Sequence, residues 1–150
     1  MGLACDWVRC ALRVAAAFLV ACLAGCTAKP PDLATGSVEA VAIQLDARAE
    51  RQKAAKASSA DAAKVEALLH ILRSADATRD HKCGDSGQIT LRRKDGGELK
   101  IGILAGHDLR YYEFRVYQGS SYGIFRVKRV PFLKAIADFG VEGLDPGLPE

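Results

Sequence analysis

Apolar and polar residues alternate through much of the second half of the chain. Alternation of this kind puts every second side chain on one face of a strand and is typical of a sheet with one buried face. The pattern predicts four consecutive strands, and the run from Val38 to Asp46 predicts one more strand upstream. The apolar rows of the four strands are Ile89 and Leu91; Leu99, Ile101 and Ile103; Tyr112, Phe114 and Val116; and Phe125 and Val127.

Turn residues separate these strands at short intervals. The stretches 94–97 and 118–121 are rich in glycine, serine and aspartate and are typical of tight hairpin connections. The polar stretch from Arg79 to Gly87 predicts a loop, whereas the charged, Ala-rich stretch from Arg48 to Lys56 fits either a helix or an irregular connection. Strands joined by short hairpins run antiparallel, so we expect a meander.

Two segments have the spacing of helices. A long helix is expected from the N-cap candidates Ser58 to Asp61 through Ser74, because apolar residues recur there every three or four positions. A short helix is expected with Pro131 as its first residue and Gly140 as its C-cap. The predicted fold class is therefore α+β, an antiparallel β-meander of about four to five strands packed on one face by one long and one short helix.

The N-terminus has the features of a signal peptide. Arg9 and Arg13 precede ten apolar residues, Val14 to Leu23, and small residues follow them. The uncharged stretch from Val14 to Ala28 is only fifteen residues long, whereas a helix needs roughly 20 residues to cross the hydrocarbon core of a bilayer. We therefore expect a cleaved signal rather than a retained membrane helix.

The sequence Leu23-Ala24-Gly25-Cys26 resembles the lipobox of bacterial lipoprotein precursors. The resemblance implies cleavage between Gly25 and Cys26 and acyl chains on Cys26, which hold a protein to a membrane because each buried methylene contributes about 0.8 kcal/mol. Thr27 stands where an aspartate would retain a Gram-negative member at the inner membrane, which implies the periplasmic side of the outer membrane. The alternative is an ordinary secretory signal that leaves Cys26 as a thiol.

These features divide the chain into a signal peptide (residues 1–25), an acylated cysteine with a flexible tether (26–36), one α+β domain (37–145) and a C-terminal tail (146–150). Cleavage removes two arginines and one aspartate, which lowers the formal charge from +3 to +2. Of the five cysteines only Cys26 and Cys83 would remain, so a disulfide framework is excluded. The nearly balanced charge and the location outside the cytoplasm argue against nucleic acid as a partner.

Basic and aromatic residues occupy the positions between the apolar rows and share the opposite face of the predicted sheet. These residues are Arg92, Lys94, Lys100, Tyr111, Arg115, Tyr117, Arg126 and Lys128. Against these six cations stand Glu98 and Glu113, and such an excess suits an anionic partner, either an envelope protein or a polysaccharide. The alternative is a solvated face on which lysine and arginine stems cover the backbone.

Candidate chemistry is sparse. His81 and Cys83, with Asp80 and Asp85 nearby, offer imidazole, thiolate and carboxylate groups, but their spacing matches no paired-ligand motif, so we predict neither a metal nor a cofactor. The sequence has no His-Glu-x-x-His and no Ser-x-x-Lys motif, so we predict no catalytic residue. An exposed Cys83 would also be able to cross-link to another chain.

Together these features predict a lipid-anchored cell-envelope protein that acts as a non-catalytic binding or assembly module. One alternative, which rests on fold analogy alone, is a small inhibitor-like domain that presents its sheet face to an envelope or secreted enzyme. The second alternative is a thiol-dependent enzyme that uses Cys83 as its nucleophile.

Overall fold

The strands expected from the alternating pattern form one antiparallel sheet in a computed structural model of the chain. The structure describes residue 33 and residues 37–47, 54–79, 82–104, 108–118 and 120–141. The elements are β1 (Val38–Leu45), β2 (Ala55–Ser59), α1 (Ala62–Arg73), β3 (Asp76–Ala77), β4 (Asp85–Arg93), β5 (Glu98–Leu104), β6 (Tyr111–Gln118), β7 (Ser121–Lys128) and α2 (Arg129–Asp138). The seven strands lie in the order β2-β1-β4-β5-β6-β7-β3, and the fold is α+β.

The predicted meander is confirmed for β4 through β7, which pair with one another in sequence order. The turn between β4 and β5 falls at the expected glycines. Gly96 has a φ of +82°, a conformation that favours glycine, and the Asp95 carboxylate accepts a hydrogen bond from the backbone N–H of Gly97 at 2.9 Å. β1 then pairs with β4 on the other side, so the predicted fifth strand joins the same sheet.

Two edge strands bring the count to seven, above the predicted four to five. β2 pairs with β1, with Ile43 opposite Ala57, and it includes part of the stretch for which a helix or an irregular connection is expected. Ser58 and Ser59 belong to this strand, so they are wrong as helix N-caps. Alanine, lysine and serine have little strand preference of their own, and it is the pairing with β1 that makes β2 a strand. β3 is a two-residue bridge to β7.

The hydrophobic core lies between one face of the sheet and the two helices. The inward rows expected from the sequence are confirmed, with Leu99 half-buried and the other residues fully buried. Phe132 of α2 is fully buried at the centre, where its ring centroid lies 4.9 Å from that of Phe114 and 5.0 Å from that of Tyr112. These aromatic contacts join the short helix to β6.

The long helix begins one residue after its N-cap, Asp61. The Asp61 carboxylate accepts hydrogen bonds from the backbone N–H groups of Ala63 and Lys64 at 2.9 and 3.1 Å, and so satisfies two donors that lack a partner within the helix. Val65, Leu68, Leu69 and Leu72 form the buried stripe of this helix. The predicted helix is therefore confirmed, and Ser74 is its C-cap.

The short helix begins at Arg129, two residues before the predicted start. Pro131 is tolerated as the third residue, because the N–H groups of the first turn have no partner within a helix. At the other end Gly140, with a φ of +82°, donates a hydrogen bond to the carbonyl of Ala137, and Val141 donates one to Ile136. This is the Schellman arrangement, which needs a left-handed residue directly after the helix, as expected for Gly140.

Two predicted irregular segments contribute to the folded domain. Leu33 lies within the predicted tether, but its side chain is buried in the core and its carbonyl accepts a hydrogen bond from Arg73 Nε at 2.5 Å. The prediction of a flexible tether is therefore wrong at Leu33, since burial of a leucine side chain contributes about 1.5–3 kcal/mol. The predicted loop from Arg79 to Gly87 is likewise wrong at its end, where β4 already begins at Asp85. Residues 1–25, Cys26 and the tail at 146–150 lie outside the described ranges.

Candidate functional site

The outer face of the sheet, opposite the helices, divides into two regions with different chemistry. Over β2, β1, β4 and β5 it forms an open groove of about 480 Å³. Over β6 and β7 its arginines contact tyrosine rings and the carboxylate of Asp85, and two apolar residues, Leu104 at the end of β5 and Ile124 in β7, are buried outside the main core. The face is therefore not uniformly solvated, and the predicted cationic residues fall into different environments.

The groove has a floor of small and neutral polar residues and a rim of charged ones. Ala40, Ala42 and Ser58 leave the backbone of the central strands uncovered, and Gln44, Gln88 and Thr90 offer amide and hydroxyl groups. The charged residues are Lys56, Arg92, Lys100 and Glu98. Three cations against one carboxylate give this region a positive potential.

The register of the strands brings these charges together. Arg92 lies directly opposite Glu98, and Lys100 lies opposite Thr90, on neighbouring strands. Lys56 lies opposite Gln44 at the edge of the sheet. Within the described ranges none of the three cations has an ion pair or a side-chain hydrogen bond in the structure. Their charges are therefore available to a ligand.

The sequence predicted Arg92 and Lys100 for this face but missed Lys56. Lys56 was missed because β2 was not predicted, and an alternation of alanine with lysine and serine is the weak signal that the sequence offers for it. Lys94, in contrast, is exposed in the turn between β4 and β5 and does not line the groove. Its predicted place on the face is wrong, because the turn rotates the backbone away from the pleat of the strands.

In the region over β6 and β7, Arg115 and Tyr117, which the sequence predicted for this face, form a cluster with Asp85. We call these three residues the clamp. Arg115 Nη1 donates to Asp85 Oδ1 at 2.7 Å, and the Tyr117 hydroxyl donates to Asp85 Oδ2 at 2.9 Å. Arg115 Nη2 also donates to the carbonyl oxygen of Cys83 at 3.0 Å. The side chains of Arg115 and Asp85 are only 15% and 29% exposed, so the two charges pair largely out of water.

Neighbouring residues pack closely against the side chains of the clamp. The guanidinium group of Arg115 lies over the ring of Tyr122, 5.1 Å from its centroid. The pKa of Arg115 is raised above its usual value, chiefly through hydrogen bonding to the oxygen of Tyr117 and further through the charge of Asp85. Gly102 lies beneath the Asp85 carboxylate, where any Cβ would overlap it. The positive charge of Arg115 is therefore neutralised by groups within the protein.

The remaining predicted residues of β6 and β7 are also engaged. Arg126 lies over the ring of Tyr111, with its guanidinium carbon 4.6 Å from the centroid, and its cross-strand neighbours are Glu113 on β6 and Asp76 on β3. Carboxylates thus flank Arg126 on both sides of its strand. Lys128 is exposed at the end of β7. Of the predicted cations of these two strands, Lys128 alone extends into solvent in the described structure.

Cys83 lies half-buried just before β4. Its predicted companions Asp80 and His81 fall outside the described ranges, and Asp85 faces Arg115 instead. Among the described residues the structure shows no group of three or more potential metal ligands. None of its described helices has the length and apolar character required to cross a bilayer.

Comparison of the chain with protein-family models, with curated proteins and with solved structures gives no match. The groove and the N-terminal residues are therefore the basis for a functional proposal.

Proposed function

We propose that this protein is a lipid-anchored protein of the bacterial cell envelope that binds an anionic polysaccharide in the groove. The module is non-catalytic, and its partner is recognised by charge and by hydrogen bonds. The anchor is supported by the likeness of Leu23-Ala24-Gly25-Cys26 to a lipobox. The binding role is supported by the composition of the groove.

The observation that carries the binding role is the set of three cations in the groove, Lys56, Arg92 and Lys100, that have no ion pair among the described residues. A charged side chain that a partner neutralises contributes about 0.2–1 kcal/mol at a solvated site. Three such contacts along one open surface suit a flexible polyanion, whose charges repeat along its length.

The floor of the groove favours a polysaccharide over a protein. Protein interfaces are centred on buried aromatic, methionine or arginine residues that fill pockets, whereas Ala40, Ala42 and Ser58 offer little apolar area. The amide groups of Gln44 and Gln88 can donate to and accept from hydroxyl and carboxylate oxygens, which a carbohydrate carries at every ring. The partner class is therefore an oxygen-rich anionic chain.

Binding to polygalacturonate, with dextran as the neutral control, tests the groove. We expect the triple variant Lys56→Gln, Arg92→Gln, Lys100→Gln to lose affinity by about 3- to 150-fold, since three contacts of about 0.2–1 kcal/mol are removed. The matched control is Lys64→Gln, Arg79→Gln, Lys82→Gln, which removes three exposed cations outside the groove. Equal binding by the two triple variants, or equal binding of dextran, would refute a groove-directed role.

Metabolic labelling with a fatty acid tests the anchor. The wild-type chain should incorporate the label and have a mass that begins at Cys26, and the Cys26→Ser variant should incorporate none. Mature protein that retains residues 1–25 without an acyl group would exclude the anchor. Fractionation of the labelled protein then tests the location that Thr27 implies, which in a Gram-negative organism is the outer membrane.

A further inference from the structure

Two residues with exposed apolar side chains lie at the same end of the sheet, where β6 begins and β7 ends. Leu109 precedes β6 and is 43% exposed, and Val130 follows β7 and is 77% exposed. Single exposed apolar side chains are ordinary on protein surfaces. These two differ because hydrogen bonds join the segments that carry them. We call this region the tip and define it as Leu109, Arg110, Lys128, Arg129 and Val130.

Hydrogen bonds join the two halves of the tip. Arg129 Nη1 donates to the carbonyl oxygen of Leu109 at 3.0 Å, and the backbone N–H of Arg129 donates to the carbonyl of Arg110 at 2.9 Å. The turn before β6 and the first turn of α2 therefore form one surface. Leu109 and Val130 are held on it without a need to order either segment on binding.

The tip is strongly cationic. Arg110 and Lys128 are exposed, and Arg129 is half-buried beside them. Arg110 is paired with Asp108, with oxygen-to-nitrogen distances of 2.6–3.1 Å, so among the described residues Lys128 and Arg129 are the cations of the tip without a carboxylate partner. Lys134 adds a further exposed cation one turn along α2 from Val130. Apolar side chains surrounded by lysine and arginine are the composition of protein surfaces that lie on anionic membranes.

A second pair of exposed apolar residues provides a contrast. Tyr117 and Tyr122 lie at the opposite end of β6 and β7, with ring centroids 6.4 Å apart. The cation beside them is Arg115, which is largely buried and bonded to Asp85. This end therefore offers aromatic surface without available positive charge, and charge complementarity distinguishes the tip from it.

We propose that the tip docks on an anionic lipid surface, with Leu109 and Val130 at the level of the headgroups and Lys128, Arg129 and the neighbouring Lys134 against their phosphates. The proposal rests on the proposed envelope location, since it needs a membrane within reach. It gives the domain a second contact with the bilayer, in addition to the acyl chains on Cys26. With the tip down, β6 and β7 stand upright and the groove faces sideways, open to a polysaccharide.

The length of chain after Cys26 is compatible with this orientation. Leu33 shares a small internal space with Phe114, Val116 and Phe125, which lie near the middle of β6 and β7. From Val116 to Tyr111 is five residues of strand, which span about 17 Å. The seven residue steps from Cys26 to Leu33 can reach about 24 Å. An anchor at Cys26 can therefore reach the plane in which the tip would lie.

Fluorescence quenching on vesicles tests the proposal with the full-length chain. Trp7 is the sole tryptophan, so Trp7→Phe with Val130→Trp puts one reporter at the tip, and Trp7→Phe with Tyr122→Trp puts one at the opposite end. We expect brominated acyl chains to quench the reporter at 130 on vesicles of phosphatidylglycerol with phosphatidylcholine, but not on phosphatidylcholine alone. The reporter at 122 should stay unquenched on both.

Charge variants of the tip measure the electrostatic part. Lys128→Gln and Lys134→Gln should each lower the ratio of docked to undocked molecules about fivefold, because a cation near an anionic surface contributes about 1 kcal/mol. Lys64→Gln with Lys82→Gln is the control and should leave the ratio unchanged. Equal quenching at 122 and 130, equal quenching on neutral vesicles, or no effect of Lys128→Gln and Lys134→Gln would each overturn the proposal.

Failure of the anchor and failure of the tip are separable. The quenching comparison is made between reporter positions and lipid compositions in the same chain, so it does not depend on acyl groups at Cys26. Unlabelled Cys26 together with anionic-lipid-dependent quenching at 130 would refute the anchor and leave the tip proposal standing. Labelled Cys26 without that quenching would support the anchor and refute the tip proposal.

Discussion

The two regions of the outer sheet face carry similar residues but differ in where their charges are satisfied. In the groove, Lys56, Arg92 and Lys100 have no ion pair within the described ranges, and the floor beneath them is open. In the clamp, Arg115 is bonded to Asp85 and packed on Tyr122. The difference teaches that a count of cations on a face does not measure its binding potential, because a carboxylate from another strand can neutralise one of them.

The largest expected effect is the removal of the carboxylate of the clamp. Asp85→Ala leaves the largely buried guanidinium of Arg115 without its carboxylate partner and removes two hydrogen bonds. We therefore expect a loss of about 2 kcal/mol in the free energy of unfolding. Urea unfolding measures this loss. Glu98→Ala in the groove is the control and should change stability by less than about 0.5 kcal/mol. Similar losses in both variants would show that the two regions do not differ.

The next effect concerns the space beneath the clamp. Gly102→Ala should cost about 1 kcal/mol, because its Cβ would overlap the Asp85 carboxylate, which Arg115 and Tyr117 hold in place. The same substitution in the Asp85→Ala background should cost less, since the overlapping atoms are gone. A double-mutant cycle from urea unfolding measures the coupling. A cost that is the same in both backgrounds would exclude Asp85 as the cause.

Neutralisation of the groove should have a small effect on stability. Arg92→Gln and Lys100→Gln should each change the free energy of unfolding by less than about 0.5 kcal/mol, because neither side chain has a partner among the described residues. Thermal unfolding at low ionic strength is the measurement, and Arg115→Gln is the comparison from the clamp. A loss above about 1 kcal/mol at Arg92 or Lys100 would mean that their charges serve the fold rather than a ligand.

The smallest effect on stability is expected for the exposed ion pair between Asp108 and Arg110. It is the solvent-exposed counterpart of the Asp85–Arg115 pair in the clamp. Hydrogen bonds from the side chain and then the backbone of Arg110 lower the pKa of Asp108 from its ordinary value of 3.8 to about 2. A carboxyl whose pKa falls on folding stabilises the protein above its unfolded pKa and loses that contribution as the pH falls. Asp108→Asn should therefore be slightly less stable than the wild type at pH 5, with a difference that disappears between pH 4 and pH 2.

Urea midpoints of the two proteins across this pH range are the measurement. A difference that persists at pH 2 would show that Asp108 acts through something other than its charge. Since Arg110 is largely exposed, water screens its attraction for Asp108. The contribution should therefore be smaller than that of the Asp85–Arg115 pair, where both side chains are largely buried.

The local pattern of apolar, polar and turn residues was sufficient to predict most of the fold. The alternation of Ile89, Leu91 and Ile101 with polar neighbours places them on the core face, because successive side chains of a strand point to opposite sides. Gly96 and Gly140 end their elements through a backbone conformation that favours glycine. β2 escaped prediction because its residues have no strand preference, and Leu33 because one isolated leucine has no period to reveal it.

The candidate site was only partly predictable for a different reason. Arg92 and Lys100 could be placed on the outer face from their own strands, but the pairing state of a charge depends on residues far away in sequence. Asp85 reaches Arg115 across 30 positions, from a stretch that the sequence indicates is a loop. Lys56 joins the groove only because β2 adds to the edge of β1.

By itself, the sequence determined the lipobox-like residues before Cys26, the buried rows of the strands and helices, and the glycine-dependent turn and cap at Gly96 and Gly140, since these depend on neighbours within a few residues. Tertiary structure decided strand order, the burial of Leu33, the division of the outer face into groove and clamp, and the position of Leu109 and Val130 at the same end of the sheet. These depend on contacts between distant segments, whose register and packing are set only when the whole sheet assembles around its core.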